Sequence, residues 1–171
     1  MTITYEIQDC VLADRFTAVC RGEVPVGDLR AWLAESFHAV EGYLSRTSAV
    51  VTGPPFARLA FLDGVVVVEA GFPVRHEIAG AYPVQPSTLP DGPAAITTHI
   101  GRYEDLDMAY GAIRAWLDAH RYAASGPHWE IYHQDPDTEP DTGDWRTDVI
   151  QPYRTTPQAP TAGSAGVPRS T

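Results

Sequence analysis

The stretch 126-GPHWEIYHQDP-136 is typical of a β-strand, yet it carries a carboxylate at its centre. Alternate side chains of a strand share a face, so His128, Glu130 and Tyr132 are predicted to point one way. Trp129 and Ile131 then point the other way. Glu130 lies either on the wet face of a half-exposed strand or in a functional site.

An earlier stretch, 53-GPPFARL-59, matches 126-GPHWEIY-132 and has Ala57 where the later copy has Glu130. Three anchors recur in one order: a strand leading through glycine into a helix, the strand after that helix, and a closing strand. They lie at 17–29 and 97–106, at 53–59 and 126–132, and at 72–74 and 151–153. This internal repeat predicts an α+β fold of two duplicated βαββ units that are related by a pseudo-twofold axis.

Apolar residues recur with helical period over 29–40 and 106–117, and Asp28 and Asp105 stand at the predicted N-caps. One domain is predicted over 1–154, in two halves of about 1–85 and 86–154. Residues 155–171 are poor in large apolar groups and are predicted to be a disordered tail. Strands are predicted at 15–21, 56–62, 65–74, 94–101, 128–134 and 147–153.

The composition limits the function. The chain has 171 residues and a net charge of -10, which disfavours direct binding to nucleic acid or anionic membranes. All twelve basic residues are arginine, which excludes a Schiff-base lysine and a Walker A lysine. Cys10 and Cys20 are predicted to be reduced thiols. No export signal and no membrane span is visible, so a cytoplasmic location is predicted.

Four segments carry a family resemblance: 71-GFPV-74, 89-LPDGPAAITTHIGRYEDLDMAYGAIRAWL-117, 126-GPHWEIYHQDP-136 and 149-VIQPY-153. Their ordered pattern, over most of 56–153, resembles the GyrI-like small-molecule-binding domains of the SOUL/GyrI-like fold, which also serve as effector domains of AraC-type and MerR-type multidrug regulators. The resemblance implies a ligand groove between two βαββ halves that takes bulky, often cationic, aromatic compounds, with Glu130 as its acidic group.

The residues agree with this implication. The repeat places Pro55, Ala57 and Leu59 across the axis from the face that carries His128 and Glu130. A groove lined by both strands is therefore predicted to be apolar with one carboxylate. Such a pocket suits a lipophilic cation, because the cation pairs with the desolvated carboxylate and meets aromatic faces. The pKa of that carboxyl is expected to be raised before binding.

Other residues are candidates for the same site. Tyr103 matches the family's Gly-x-Tyr and either reaches the groove or packs beneath the helix. Tyr82 and Trp145 stand in loops where a lid could add stacking surface, although surface packing is equally compatible. Phe56 belongs by alternation to the Trp129 face, which favours the core. Core packing is also the interpretation for three aromatic residues on the helical stripes: Trp32, Tyr110 and Trp116.

No metal or cofactor is predicted. The six histidines have no metal-ligand spacing, and His128 and His133 face opposite sides of a strand. The acidic run 135–144 lacks EF-hand spacing and is interpreted as a solvated loop. No nucleophile elbow or phosphate loop is present. Haem binding, known from the related SOUL fold, lacks a clearly placed axial histidine.

Three hypotheses remain. The first is a stand-alone binding module for bulky lipophilic cations, without a DNA-binding domain of its own. The second, implied by the resemblance, is a hydrolase of reactive cyclopropane-type genotoxins, in which Glu130 acts with Tyr132 or Tyr103. The third is a protein-interaction domain that resembles a gyrase inhibitor. Turnover supports the second hypothesis, and a stable protein complex without a small molecule supports the third.

Overall fold

The computed structural model describes residues 3–134 and 141–156 and confirms the α+β class. Most of the acidic run and of the predicted tail lie outside these residues. The described chain contains two α-helices and nine strands, all paired antiparallel. The elements are β1 Gln8–Leu12, β2 Arg15–Pro25, α1 Leu29–Ser45, β3 Phe56–Leu62, β4 Val65–Pro73, β5 Gln85–Leu89, β6 Gly92–Ile100, α2 Leu106–His120, β7 Tyr122–Ala124, β8 His128–Tyr132 and β9 Arg146–Thr155.

The predicted order of strand, helix, strand, strand occurs twice, as β2-α1-β3-β4 and β6-α2-β8-β9 with the short β7 inserted. Sequence patterns missed β1, β5 and β7. These strands have three to five residues, and β1 and β5 are outermost in the sheet. Short edge strands carry weak strand signals, and β5 contains Pro86, which is tolerated at an edge.

All the strands form one sheet, in the order β1-β6-β9-β8-β3-β4-β2-β5, with β7 paired to β9. The halves therefore join directly through β3 and β8. The order is symmetric about this central pair: β1 beside β6 at one edge corresponds to β5 beside β2 at the other. The symmetry fits the predicted pseudo-twofold axis, whereas the duplication itself stays a prediction.

The sheet curls into a half-barrel. Gly71 of β4 permits a close approach to β2, because a Cβ at this position would lie 1.8 Å from the carbonyl oxygen of Ala18. The face without helices is filled by its own large side chains, among them Val19, Phe56, Trp129 and Ile150. This filled face accounts for the strong burial of a sheet that is covered on one side only.

Both helices pack on the opposite face. The α1 helix covers Ala57 and Leu59 of β3, and the α2 helix covers Ala95 of β6 and Val149 of β9. The register places Ala57 opposite Glu130 and Glu130 opposite Val149, so these positions share one face. Neither described helix is long and apolar enough to cross a membrane.

The helix starts differ from the expectation in one respect. Asp28 and Asp105 occupy the N-cap positions, but neither side chain makes a capping hydrogen bond. Each aspartate ends a short 3-10 turn, Val26–Asp28 or Tyr103–Asp105, that runs straight into its helix. The turn places both caps in or near helical backbone geometry, in which the side chain points away from the free amides.

At the other end of the chain, Thr155 still pairs with Tyr122 of β7, so β9 passes the predicted domain boundary at 154.

Candidate functional site

The candidate site lies over the central pair of strands, on the face that carries the helices. Ala57 of β3 is directly opposite Glu130 of β8, and Leu59 is opposite His128. Val149 flanks Glu130 on the other side. Ala57 and Val149 are fully buried. The structure therefore places the carboxylate between small apolar neighbours, which cannot solvate its charge.

Glu130 is only 7 % exposed, so the solvent-facing interpretation is wrong. Two tyrosine hydroxyls satisfy its oxygens. Tyr132, two residues along the strand, donates to Oε2 at 2.6 Å. Tyr110 of α2 donates to Oε1 in a very short contact. The carboxylate is thus hydrogen-bonded through both oxygens, which is the condition for keeping such a group inside a protein.

Burial determines the titration of this cluster. Desolvation raises the pKa of Glu130, and the two tyrosine hydrogen bonds and His99 offset part of that rise. Burial and the adjacent carboxylate raise the pKa values of Tyr110 and Tyr132 far above the ordinary range. Both phenols therefore keep their protons and act as hydrogen-bond donors at any physiological pH.

Further aromatic rings surround Tyr132. Phe37 of α1 meets it edge-on with ring centroids 6.0 Å apart, and Tyr103 does so at 5.6 Å. Trp145 lies against Tyr103 at 4.7 Å. The structure therefore brings the predicted Tyr103 and Trp145 to the Glu130 site. Their rings give the site several π faces of the kind that attract organic cations.

His128 occupies the other side of the carboxylate. Its ring centroid lies 4.5 Å from that of Tyr110. The ring also stacks on Phe61, with the two centroids 6.2 Å apart, and Phe61 is 54 % exposed. Burial lowers the pKa of His128 to about 4, so the imidazole is neutral at physiological pH. A run of rings thus leads from the surface at Phe61 to the buried carboxylate.

Two predicted residues lie elsewhere. Phe56 is buried on the opposite face of the sheet, in the cluster with Trp129, because side chains alternate along β3. Tyr82 is 95 % exposed in the turn before β5, the outermost strand. The structure therefore places neither Phe56 nor Tyr82 beside Glu130.

Sequence reasoning missed Tyr110, Phe37 and Phe61. Tyr110 was interpreted as core packing on a helical stripe, but its hydroxyl binds Glu130. A usable signal existed, since a buried tyrosine needs a partner for its hydroxyl and the sequence offers a buried carboxylate on a nearby strand. Phe61 continues the alternation of Ala57 and Leu59, so the same periodicity places it on the site face.

Two surface depressions, of about 390 and 240 Å³, lie away from Glu130 and are lined by other residues: 21–23 with 67–69, and 4–6 and 8 with 96–98. Neither depression contains Glu130, so the buried carboxylate, and not the volume of a depression, locates the candidate site. The two tyrosine hydroxyls lie between Glu130 and a ligand that would approach its oxygens. Across the described residues, no group of three or more His, Cys, Asp or Glu is arranged to hold a metal ion.

Solved structures share this fold. The EcmrR C-terminal domain has a TM-score of 0.78 and 16% identity, over 90% of this chain and 100% of that one. The chain spans 58% of the length of EcmrR as seen in its DNA complex. SAV2435 bound to tetraphenylphosphonium has a TM-score of 0.60 and 12% identity, over 89% and 94% of the two chains. A hydrolase from Listeria innocua has a TM-score of 0.64 and 12% identity, over 87% of this chain and 92% of that one.

These identities are low, so the likeness concerns the fold alone. No curated protein matches the chain in sequence. A sequence model of the GyrI-like small molecule binding domain matches residues 62–154, more than half of the chain, including α2, β8 and β9. The matched region contains Glu130, Tyr132 and Tyr110. The chain belongs to the GyrI-like small molecule binding domain family.

Proposed function

We propose that this domain binds bulky lipophilic aromatic cations over the β3–β8 pair, with Glu130 as the counter-ion. The observation that carries the proposal is the buried carboxylate of Glu130, held by Tyr110 and Tyr132 and enclosed by aromatic rings. A carboxylate in such a position destabilises the fold unless a compensating partner is available. An organic cation supplies that partner.

The exchange of partners is favourable for a specific class of ligand. A cation that displaces a tyrosine hydroxyl replaces a hydrogen bond from a neutral donor with a charge pair in a poorly solvated site. Each aromatic face against the cation adds about 0.5 to 2 kcal/mol. The net charge of -10 also concentrates cations near the protein. Anions of the same size gain none of these terms.

The relatives support the proposal without deciding it. The family is one of small-molecule-binding domains, and SAV2435, a protein of similar fold, is bound to tetraphenylphosphonium. That compound is a bulky aromatic cation without hydrogen-bonding groups. It is therefore the natural first probe for this chain.

The test is a tryptophan-fluorescence titration, checked by calorimetry, with tetraphenylphosphonium and the isosteric anion tetraphenylborate. We expect micromolar binding of the cation and at least tenfold weaker binding of the anion. Glu130→Gln should weaken cation binding at least tenfold, because it removes the buried charge and keeps the size. Glu41→Gln is the matched control, since it makes the same change in net charge on an exposed face of α1.

Two outcomes would contradict the proposal. Equal binding of both probes would mean that the site responds to size alone. Equal weakening by Glu130→Gln and Glu41→Gln would mean that general electrostatic attraction, rather than the buried carboxylate, selects the cation.

A hydrolase is the second candidate. Burial raises the pKa of Glu130, which favours the protonated carboxyl group that a general acid needs, and a protein of similar fold is a hydrolase. Opening of a strained cyclopropane places the hydroxyl of water on one ring carbon and a proton on another, and Glu130 can transfer that proton. Mass spectrometry after incubation with such a compound would reveal a product 18 Da heavier, absent with Glu130→Gln.

Other properties stay predictions. The charge balance disfavours direct nucleic-acid binding, and a cytoplasmic location stays a prediction. A protein partner, the third hypothesis, would be found as a stable complex that forms without any small molecule.

A further inference from the structure

His128 lies in a fixed relation to the proposed counter-ion. It precedes Glu130 by two residues on the same strand, so it projects from the same face about 6.6 Å away. Leu59 lies opposite it on β3. The imidazole is therefore set beside the carboxylate, on a rigid element, at about the length of one aromatic ring.

Neighbouring rings hold the imidazole. Tyr110 contacts one side with a centroid distance of 4.5 Å, and Phe61 stacks nearly parallel at 6.2 Å and 18°. Tyr110 also donates to Glu130. One tyrosine thus contacts both polar groups of the site, so a ligand that displaces its hydroxyl approaches both of them.

The Nε2 atom of His128 is buried and has no hydrogen-bond partner among the described residues. A buried polar atom without a partner is uncommon and costs free energy. His99, a buried histidine of β6, has a partner at each ring nitrogen, Tyr5 and the Arg102 carbonyl. Nε2 of His128 is therefore an available polar atom beside Glu130, whose own two oxygens already accept hydrogen bonds.

We propose that His128 is a second recognition group, whose Nε2 hydrogen-bonds a polar substituent on the aromatic ring of the bound cation. The inference rests on the proposed function and narrows its ligand class. The preferred ligands carry a positive centre and, about one aromatic ring away, a neutral hydrogen-bonding group. A neutral imidazole can accept or donate according to its tautomer, and an aromatic amine serves both cases.

The experiment uses three phosphonium probes: tetraphenylphosphonium, its 4-methyl derivative and its 4-amino derivative. The methyl and amino groups have nearly the same size, so their affinity ratio isolates the hydrogen bond. We expect the wild type to prefer the amino probe over the methyl probe by fivefold or more. His128→Phe keeps a stacking ring and should bring the ratio of the two affinities close to one.

The outcomes separate the two proposals. A ratio near one in the wild type, with micromolar binding of the parent cation, would overturn the role of His128 and leave the cation site intact. Failure of all three probes to bind would overturn both proposals. If His128→Phe weakened the affinity for the methyl and the amino probe equally, the role of His128 would be packing and not hydrogen bonding. If the phenylalanine variant folds poorly, His128→Gln is the alternative variant. It keeps polar atoms at this position, so it should retain part of the preference for the amino probe.

Discussion

The two halves of the sheet meet at β3 and β8 with the same architecture and opposite chemistry. Ala57 faces Glu130 across the central pair. The fifth residue of α1 is Leu33, which packs on the buried side chains of β3, whereas the fifth residue of α2 is Tyr110, which binds Glu130. The first half thus provides an apolar wall, and the second half provides the polar groups.

The difference follows from the symmetry itself. Positions that face each other across a twofold axis are neighbours, so identical residues there would place two carboxylates side by side in a buried site. Two such charges cannot both remain ionised at close range. A symmetric scaffold can therefore hold one ionised carboxylate at its axis when the other half carries a different residue there, and Ala57 is that residue in this chain.

Ala57→Glu breaks this asymmetry and should have the largest effect. It sets a second carboxylate against Glu130 in a buried position, and we expect the free energy of unfolding at pH 7 to fall by about 3 kcal/mol or more. Urea denaturation measures the loss. Ala57→Gln is the control for size, and equal stability of the Glu and Gln variants would show that charge repulsion plays no part.

His128 should give the next largest effect, as a dependence of stability on pH. Its pKa is lowered to about 4 from 6.5, so between pH 6.5 and 4 the unfolded chain gains a proton that the folded chain excludes. Folding stability contributed by neutral His128 is present above pH 6.5 and is lost as pH falls, by at most about 3 kcal/mol. The repeat counterpart in the first half, Pro55, cannot titrate.

This loss is measured as the difference in unfolding free energy between the wild type and His128→Phe over that pH range. The exposed His38, changed to glutamine, is the control and should follow the wild type. A constant difference between wild type and His128→Phe would contradict the expectation.

Tyr110→Phe sharpens the contrast with Leu33 and should have a moderate effect. The pKa of Glu130 is raised, so its contribution to stability is present at low pH and is lost as pH rises above the ordinary value of 4.5. Without the Tyr110 hydroxyl this loss should deepen by about 1 to 2 kcal/mol at pH 7. Below pH 4.5, wild type and variant should differ less.

The measurement for Tyr110 is a double-mutant cycle in urea with Glu130→Gln. In the Glu130→Gln background, Tyr110→Phe should cost clearly less than in the wild type, because a neutral amide accepts a weaker hydrogen bond than a carboxylate. An equal cost in both backgrounds would assign Tyr110 to packing alone.

Phe61→Ala should give the smallest effect. The side chain is 54 % exposed, so we expect stability to change by under about 1 kcal/mol while tetraphenylphosphonium affinity falls about two- to fivefold. Leu62→Ala is the matched control, since Leu62 is 60 % exposed and points to the other face of β3. Equal titration curves for the two variants would exclude Phe61 from the binding surface.

Much of the fold was predictable because its main signals are local. Period-two alternation located β8 and put His128, Glu130 and Tyr132 on one face, and the repeat identified Ala57 as the partner of Glu130. Pairings between distant edge strands carry no such signal. The pairing of β1 with β6 and of β5 with β2 was therefore not foreseen.

The site was predictable only in part. Residues near Glu130 in sequence, or in the matching repeat, were identified correctly as its neighbours. Tyr110 could not be separated from core packing, because its stripe on α2 is apolar and only the helix position brings its hydroxyl to the carboxylate. The enclosure of Glu130 by Tyr110 and Tyr132 likewise depends on side-chain placement, which a periodic pattern does not specify.

The edge pairings also affect how the chain folds. The first strand of each half closes the sheet of the other, as Gln8 pairs with Ile96 and Arg15 with Leu89. Such contacts have high contact order, so neither sheet edge is completed until both halves are present, and slow, all-or-none folding is expected. A fragment cut between β4 and β5 would leave an unpaired edge strand, which favours aggregation. We therefore expect that the half that carries Glu130 does not fold without the half that carries Ala57.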